Sequence, residues 1–255
     1  MGSTSDPGSA HALLLARVQD CAKLCERRNA PCFLGFLDEG EQQIIRQTLG
    51  TQTFPTWTFC GGHDGAERCM IGFFPTYMEP EPTAFPMTPY AFHYRPEKAL
   101  THRDFLGTLL STGLRREMIG DILCGSGLTV VFLRDEIGSY VTDQIVKIGG
   151  EGVRIEAGYT GELPIAHTFS EIRDTVASPR LDAVVKALIR CSREQAARLI
   201  VSGMVEVNHL PVETVSAQIA PASVISVRGS GRYIIDEIGP ETRKGRVNLL
   251  ARKYL

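Results

Sequence analysis

"SPRLDAVVKALIRCSREQAARLIVSGMVEVN", residues Ser178–Asn208, reads as helix, break, helix, glycine stop and strand. Leu181, Val184, Val185 and Leu188 fall at i, i+3, i+4 and i+7, one apolar helix stripe. Ser192 has the chemistry of an N-cap, and Gln195 three residues on gives it the form of a capping box. Gly203 is the natural helix stop. Ala196, Leu199 and Ile200, then Val205 and Val207, point inward. That leaves Arg193, Gln195 and Arg198 on the outward face. Capping and solubility explain those groups as well as anion binding does, so chemistry alone leaves their role open.

Charge tilts the balance. Residues 1–177 carry 15 Lys+Arg against 22 Asp+Glu, a net of −7, whereas residues 178–255 carry 12 against 7, a net of +5. A basic block set off from an acidic remainder is the electrostatic footprint of a polyanion binder. Guanidinium and amide groups suit phosphate oxygens. The free N–H groups at the start of the Ser192 helix add to that.

A chain of 255 residues can bury a substantial core in one to three domains. No apolar run is long enough to span a bilayer, and the first residues lack the basic-then-apolar order of a signal peptide, so a cytoplasmic protein is expected. The seven cysteines are scattered and form no C-x-x-C pair. Cys21 and Cys25 stand at i and i+4 but lack a second ligand pair, so buried thiols are expected and no metal or other cofactor.

Three blocks are expected, in an α+β chain. Residues 10–78 form an N-terminal α+β region: two helices, "HALLLARVQDCAKLCERR" and "DEGEQQIIRQTL", then strands "TWTFC" and "RCMIGFF" around the turn "GGHDGAE". Five prolines, Pro75, Pro80, Pro82, Pro86 and Pro89, mark a linker or edge segment. Residues 84–158 then read strand (Tyr90–Tyr94), helix (Thr101–Thr112), strand (Met118–Leu123), strand (Leu128–Leu133), helix (Asp135–Ile148) and strand (Gly152–Glu156). This β-α-β-β-α-β order is that of ferredoxin-like domains, shared by many RNA-recognition modules. Residues 178–255 form the third block: the two helices, short strands in "MVEVN", "LPVE", "SVISVRG" and "RYIIDEI", and a basic C-terminal tail "TRKGRVNLLARKYL".

Catalytic motifs occur only as fragments. "HRD" at His102–Asp104 has Leu109 where a kinase loop needs Asn, and Thr101 with Asp104 forms a capping box instead. "CGSGLTV" lacks the third glycine or lysine of a phosphate loop. "RLD" at Arg180–Asp182 matches the short string around the catalytic Asp of pseudouridine synthases, but a plain amphipathic helix follows. His63 has no partner visible in the sequence.

The stretch from Ser178 to about Ile238 resembles the S4 RNA-binding domain, through Arg180-Leu181-Asp182, Ser192-Arg193, Ala196, Leu199-Ile200, Gly203, Val205, Val207 and Asn208. Two turns depart from the pattern: Asn208-His209-Leu210 replaces Asn-Gly-Lys, and Ala222-Ser223 replaces Gly-Asp. "LTHRDFLGTLLSTGLRREMIGDIL" and "GGHDGAER" resemble the YlmH-type S4-domain proteins, so the likeness spans nearly the whole chain. It implies an N-terminal region, an RRM-like middle domain and a C-terminal S4 domain of two helices and a small sheet. It also implies a non-catalytic RNA binder, and a monomer is expected. The partners implied are rRNA and tRNA of the large ribosomal subunit, in rescue or quality control of stalled translation; the acidic neighbours of the middle domain point to ribosomal proteins as further partners.

On that reading Arg180, Arg193 and Arg198 hold phosphates, and Ser192, Gln195 and Asn208 add hydrogen bonds. Arg228, Arg232, Arg243, Lys244 and Arg246 extend the basic surface, and His102, Arg103, Arg115 and Arg116 are the middle domain's contacts. Reversing the charges of Arg193 and Arg198, both expected outward, should weaken binding without unfolding the helix. One alternative is an RNA-modifying enzyme of the pseudouridine-synthase kind, targeted by the S4 domain, with Asp104, Asp121 and His102 as the groups to inspect. Another is a ribosome-associated interaction scaffold, docking through the acidic first block.

Overall fold

The computed structural model describes residues 7–50, 55–165, 168–241 and 245–255; Arg243 and Lys244 lie outside them. The chain divides after Ala166 into two compact units.

The first unit opens with helix α1 (Pro7–Arg28), strand β1 (Cys32–Leu37), helix α2 (Glu39–Leu49) and strands β2 (Thr56–Cys60) and β3 (Cys69–Phe74). Asp38 caps α2 in a reciprocal box with Glu41. The three strands form an antiparallel sheet in the order β1-β3-β2. Strand β1 has no alternating pattern and carries Gly35 at its middle, which is why it is hard to read as a strand. A Cβ at Gly35 would lie 2.5 Å from the carbonyl oxygen of Glu117, so the glycine permits close backbone approach there.

The unit continues with β4 (Met87–His93), α3 (His102–Ser111), β5 (Ile119–Cys124), β6 (Leu128–Arg134), α4 (Gly138–Gln144), the short hairpin β7 (Lys147–Ile148) and β8 (Glu151–Gly152), and β9 (Arg154–Ala157). Strands β5-β6-β4-β9 form an antiparallel sheet in that order, the βαββαβ arrangement expected. The second helix is shorter than the expected Asp135–Ile148. A 3-10 turn precedes α4, and the β-branched Ile145 turns extended to lead into the β7–β8 hairpin.

The two sheets of this unit pack face to face. Phe36, Met70 and Phe74 of the first interleave with Ala91, Leu123, Val130 and Phe132 of the second. Helices α1 and α2 cover the outer face of the first sheet over Ile71 and Phe73, and α3 and α4 cover that of the second over Phe92, Val131 and Leu133. Every residue of β3 is therefore buried, because both of its faces are covered. The proline-rich segment is packed rather than a free linker: Phe85 is buried in the core between the sheets, with Met78 and Ala84 against it. The layering has a functional consequence. RRM domains stack RNA bases on the open face of a four-stranded sheet, and here the face opposite α3 and α4 is filled by the three-stranded sheet.

The second unit comprises β10 (Phe169–Val176), α5 (Leu181–Ile189), α6 (Arg193–Val201), β11 (Val205–Val207), β12 (Leu210–Pro211), β13 (Val224–Val227), β14 (Gly231–Glu241) and β15 (Val247–Tyr254). They form a six-stranded sheet in the order β10-β15-β14-β13-β11-β12, with α5 and α6 packed over its core. Two expectations are corrected here. The unit starts before Ser178, because β10 pairs along its whole length with β15. The basic "tail" is not a tail: β15 lies between β10 and β14, its residues Leu249 and Ala251 are buried in the core, Arg252 is on the opposite face, and Lys253 lies over the Tyr233 ring at the end of the core face.

Both departures from the S4 pattern put a side chain where glycine is favoured. Asn208 and His209 have φ of 50° and 65°, the paired left-handed geometry of a tight hairpin turn, and Ala222 has φ of 65°. The turn shapes survive without their glycines, at a cost of roughly 1 kcal/mol for each strained alanine or histidine. Ala222→Gly is accordingly expected to raise the midpoint of thermal unfolding by a few degrees, measurable by calorimetry.

Candidate nucleic-acid interface

The site is organised around one buried carboxylate. Asp182, in the first turn of α5, has a side chain only 4% exposed. It accepts from Arg193 Nε at 2.7 Å, from Arg180 Nε at 3.1 Å and from the backbone N–H of Ala183 at 3.0 Å. Burial alone would raise its pKa. The hydrogen bonds and charges of Arg193 and Arg180 outweigh that and hold the carboxyl below its ordinary value. The Arg193 and Arg180 side chains are 56% and 37% exposed, and Arg180 Nη2 makes a second, longer bond to Asp182 at 3.4 Å. Asp182 thus aims two cations from different elements, a role the sequence pattern "RLD" does not reveal.

Arg193 therefore differs from the expectation of a purely outward residue. A glutamate there would face the Asp182 carboxylate, so its charge reversal would disturb folding as well as binding. Arg198 is exposed and pairs with Glu194 one turn earlier, a contact of little energetic weight. Ser192 Oγ accepts from the Gln195 N–H at 3.1 Å and caps α6. The cap is that one bond rather than the reciprocal box expected, so the Gln195 side chain is not engaged in it. Asn208 is tied to the start of β13: Oδ1 accepts from the Val224 N–H at 2.9 Å, and its own N–H donates to the Val224 carbonyl at 2.7 Å. That leaves its side-chain carbonyl poorly placed to act as the ligand group expected of it.

The geometry adds two residues that pattern reading passed over. Lys186 and Arg190 lie exposed at the solvent edge of α5. With Arg193 and Arg246 they surround a cleft of about 350 Å³ between α5 and β10. Arg246 is tied to Thr175, donating from Nε to its hydroxyl at 2.9 Å and from Nη2 to its carbonyl. Helical spacing would have placed Lys186 and Arg190 together, but only the fold places them beside Arg193 and Arg246. Arg190 also ends α5 in the left-handed region, with φ of 53°. Arg228 is exposed beside Met204, and Arg232 stacks over the Tyr254 ring at 5.3 Å. Both lie away from this cleft.

Two family models match, "Putative RNA-binding domain in YlmH" over residues 80–161 and "S4 domain" over residues 179–225. The chain is also 34% identical over 213 residues to the Ribosome-associated protein quality control protein P2 of Bacillus subtilis (strain 168), covering 83% of this chain and 82% of that one. The chain belongs to the YlmH-type S4-domain family. Among solved structures, the cell division protein ylmH from Streptococcus pneumoniae matches with a TM-score of 0.50 at 19% identity, over 62% of this chain and 94% of that one. At that identity the likeness concerns the fold.

In this YlmH-type chain the middle-domain residues divide. His102 and Arg103 are exposed on the first turn of α3, and Arg115 is exposed beside Glu117 at 3.0 Å. Arg116 is turned inward, contrary to expectation. Its Nη1 donates to the carbonyls of Ile119 at 2.6 Å and Gly120 at 3.3 Å, and burial pushes its pKa down to about 10.

His63 finds the partner that sequence could not show. Its Nε2 lies 3.0 Å from Asp121 Oδ2, and its ring stacks on Phe132 at 4.9 Å. Asp121 also accepts from the N–H groups of Glu67 and Arg68, so it holds the "GGHDGAER" loop against β5. Asp104 serves the Thr101 capping box. The two carboxylates singled out for acid–base chemistry are thus helix and loop anchors. Among the described residues, no group of three or more His, Cys, Asp or Glu is placed to hold a metal ion, and no helix is long and apolar enough to cross a membrane.

Proposed function

We propose that this protein binds RNA through the α5–α6 face of its second unit, acting without catalysis on rRNA and tRNA of the large ribosomal subunit. Its role is rescue or quality control of stalled translation in the cytoplasm, as a monomer. The observation that carries the reading is the Arg180–Asp182–Arg193 constellation beside Lys186 and Arg190. Fixed guanidiniums lose little entropy on meeting a phosphate, and free cations at their edge add electrostatic attraction. The ribosome and the quality-control role are taken from the ribosome-associated quality control relative of Bacillus subtilis. The covered sheet of the middle domain argues that this domain contributes through exposed edge residues such as Arg103 and Arg115, not by stacking bases on its sheet.

Co-sedimentation of the purified chain with isolated large ribosomal subunits tests this directly. The protein is expected to pellet at about 50 mM salt and to be released by 10³-fold or more in affinity near 200 mM, the signature of several phosphate contacts. RNase treatment should abolish pelleting. Salt-resistant pelleting that survives RNase would reject direct RNA binding in favour of a protein-docking scaffold.

A further inference from the structure

The cleft between α5 and β10 has a shape that phosphate binding alone does not require. Its floor is apolar, built by Val176, Ala183 and Ala187, while Lys186, Arg190 and Arg193 line its rim with Arg246. Asp174 is the one carboxylate among its lining residues, against four cations. Two of those cations are held in place, Arg193 by Asp182 and Arg246 by Thr175. Lys186 and Arg190 make no side-chain hydrogen bond or ion pair among the described residues. A backbone phosphate needs only such cations on an open surface. A volume of about 350 Å³ with an apolar floor also suits a flat heterocycle. It lies near the low end of the roughly 300–1,000 Å³ found for small-molecule sites, and is too small for a helix.

We propose that this cleft receives one unpaired nucleotide of the bound RNA, its base against the apolar floor and its phosphate at the basic rim. The inference rests on the RNA-binding reading above and narrows its ligand: paired bases cannot enter a pocket, whereas bases in bulges and loops can be splayed out into one.

The test uses the full chain and three RNA hairpins of equal stem length: fully paired, with a single-adenosine bulge, and with the same bulge made abasic. Fluorescence anisotropy is expected to show the adenosine bulge binding about tenfold more tightly than the other two, from burial of one base. Ala187→Met, which fills the floor, should erase that preference and leave binding of the paired hairpin unchanged. A preference that persists in a folded Ala187→Met variant would overturn the assignment to this cleft. Should that variant fail to fold, photocrosslinking of a 4-thiouridine bulge to the wild-type chain reads the location. Crosslinks on Asp174–Cys191 support it, and crosslinks confined elsewhere overturn it. Equal binding of the abasic and adenosine bulges would overturn base insertion while leaving RNA binding intact. Failure of all three hairpins to bind would overturn both readings.

Discussion

Replacing Lys186 and Arg190 together by glutamate is expected to weaken binding to large-subunit RNA by about 100-fold at low salt, with the fold intact. Each lost charge-assisted contact is worth roughly 1.5 kcal/mol. The slope of log affinity against log salt should fall by about 1.5, since each phosphate contact contributes roughly 0.7–0.9. Filter binding across a salt series reads both quantities, and thermal unfolding checks the fold. The structure makes these two residues a cleaner probe than Arg193 and Arg198. Arg193 is part of the support of a buried carboxylate, and Arg198 is offset by Glu194. Lys186 and Arg190 are exposed, and no described carboxylate pairs with either. Arg190→Gly gives a useful contrast, because it removes one charge while relieving a left-handed residue. It should bind RNA more weakly and yet be no less stable. Unaltered affinity and slope in the double glutamate variant would remove this edge of α5 from the interface.

Asp182→Ala is expected to destabilise the second unit markedly. It leaves Arg180 and Arg193 unpaired and removes one of the two acceptors of the Ala183 N–H, which keeps the Arg180 carbonyl. Loss of one partner from a buried ion pair costs about 3–5 kcal/mol. Both arginines are partly exposed and can be rehydrated, so the expectation lies lower, at about 2–3 kcal/mol. For a unit of this size that corresponds to roughly 10 °C in the midpoint of thermal unfolding.

The same residue sets an acid limb of stability. Its folded pKa is depressed relative to the ordinary aspartate value near 4, so its contribution is present above about pH 4. It is lost as pH falls through the lower folded value. Asp182→Asn should flatten that limb, which denaturant titrations between about pH 2 and 6 would show. An unchanged acid limb would mean that the ion pairs are not maintained in solution.

Much of this molecule is written in local pattern. The i, i+3, i+4, i+7 stripe from Leu181, the Ser192 cap and the Gly203 stop each depend on neighbours within a turn or two, and each appears where spacing puts it. The same holds for the Thr101 and Asp104 box and for the order β-α-β-β-α-β. What local pattern does not show depends on distant partners. "VNLLARKY" looks like a basic tail until β10 and β14 are seen on either side of it. "NAPCFLGFL" shows no alternation because both faces of its sheet are covered. The proline-rich stretch looks like a linker because nothing local indicates that Phe85 closes a core between two sheets.

The candidate site divides along the same line. Residue type and the charge swing at residue 178 were enough to say that the C-terminal block attracts a polyanion, because net charge and helix phase need no fold. Which of its polar groups are available was decided in three dimensions. Asp182 captures Arg193 across 11 residues, Val224 of β13 captures Asn208 across 16, and Ile119 and Gly120 capture Arg116. Arg246, 60 positions from Lys186, arrives at the same cleft only because β15 pairs with β10. A sequence fixes which charges a chain carries and the phase of each helix. Long-range strand pairing and the satisfaction of buried polar groups decide which of those charges face a ligand, and both exist only in the folded chain.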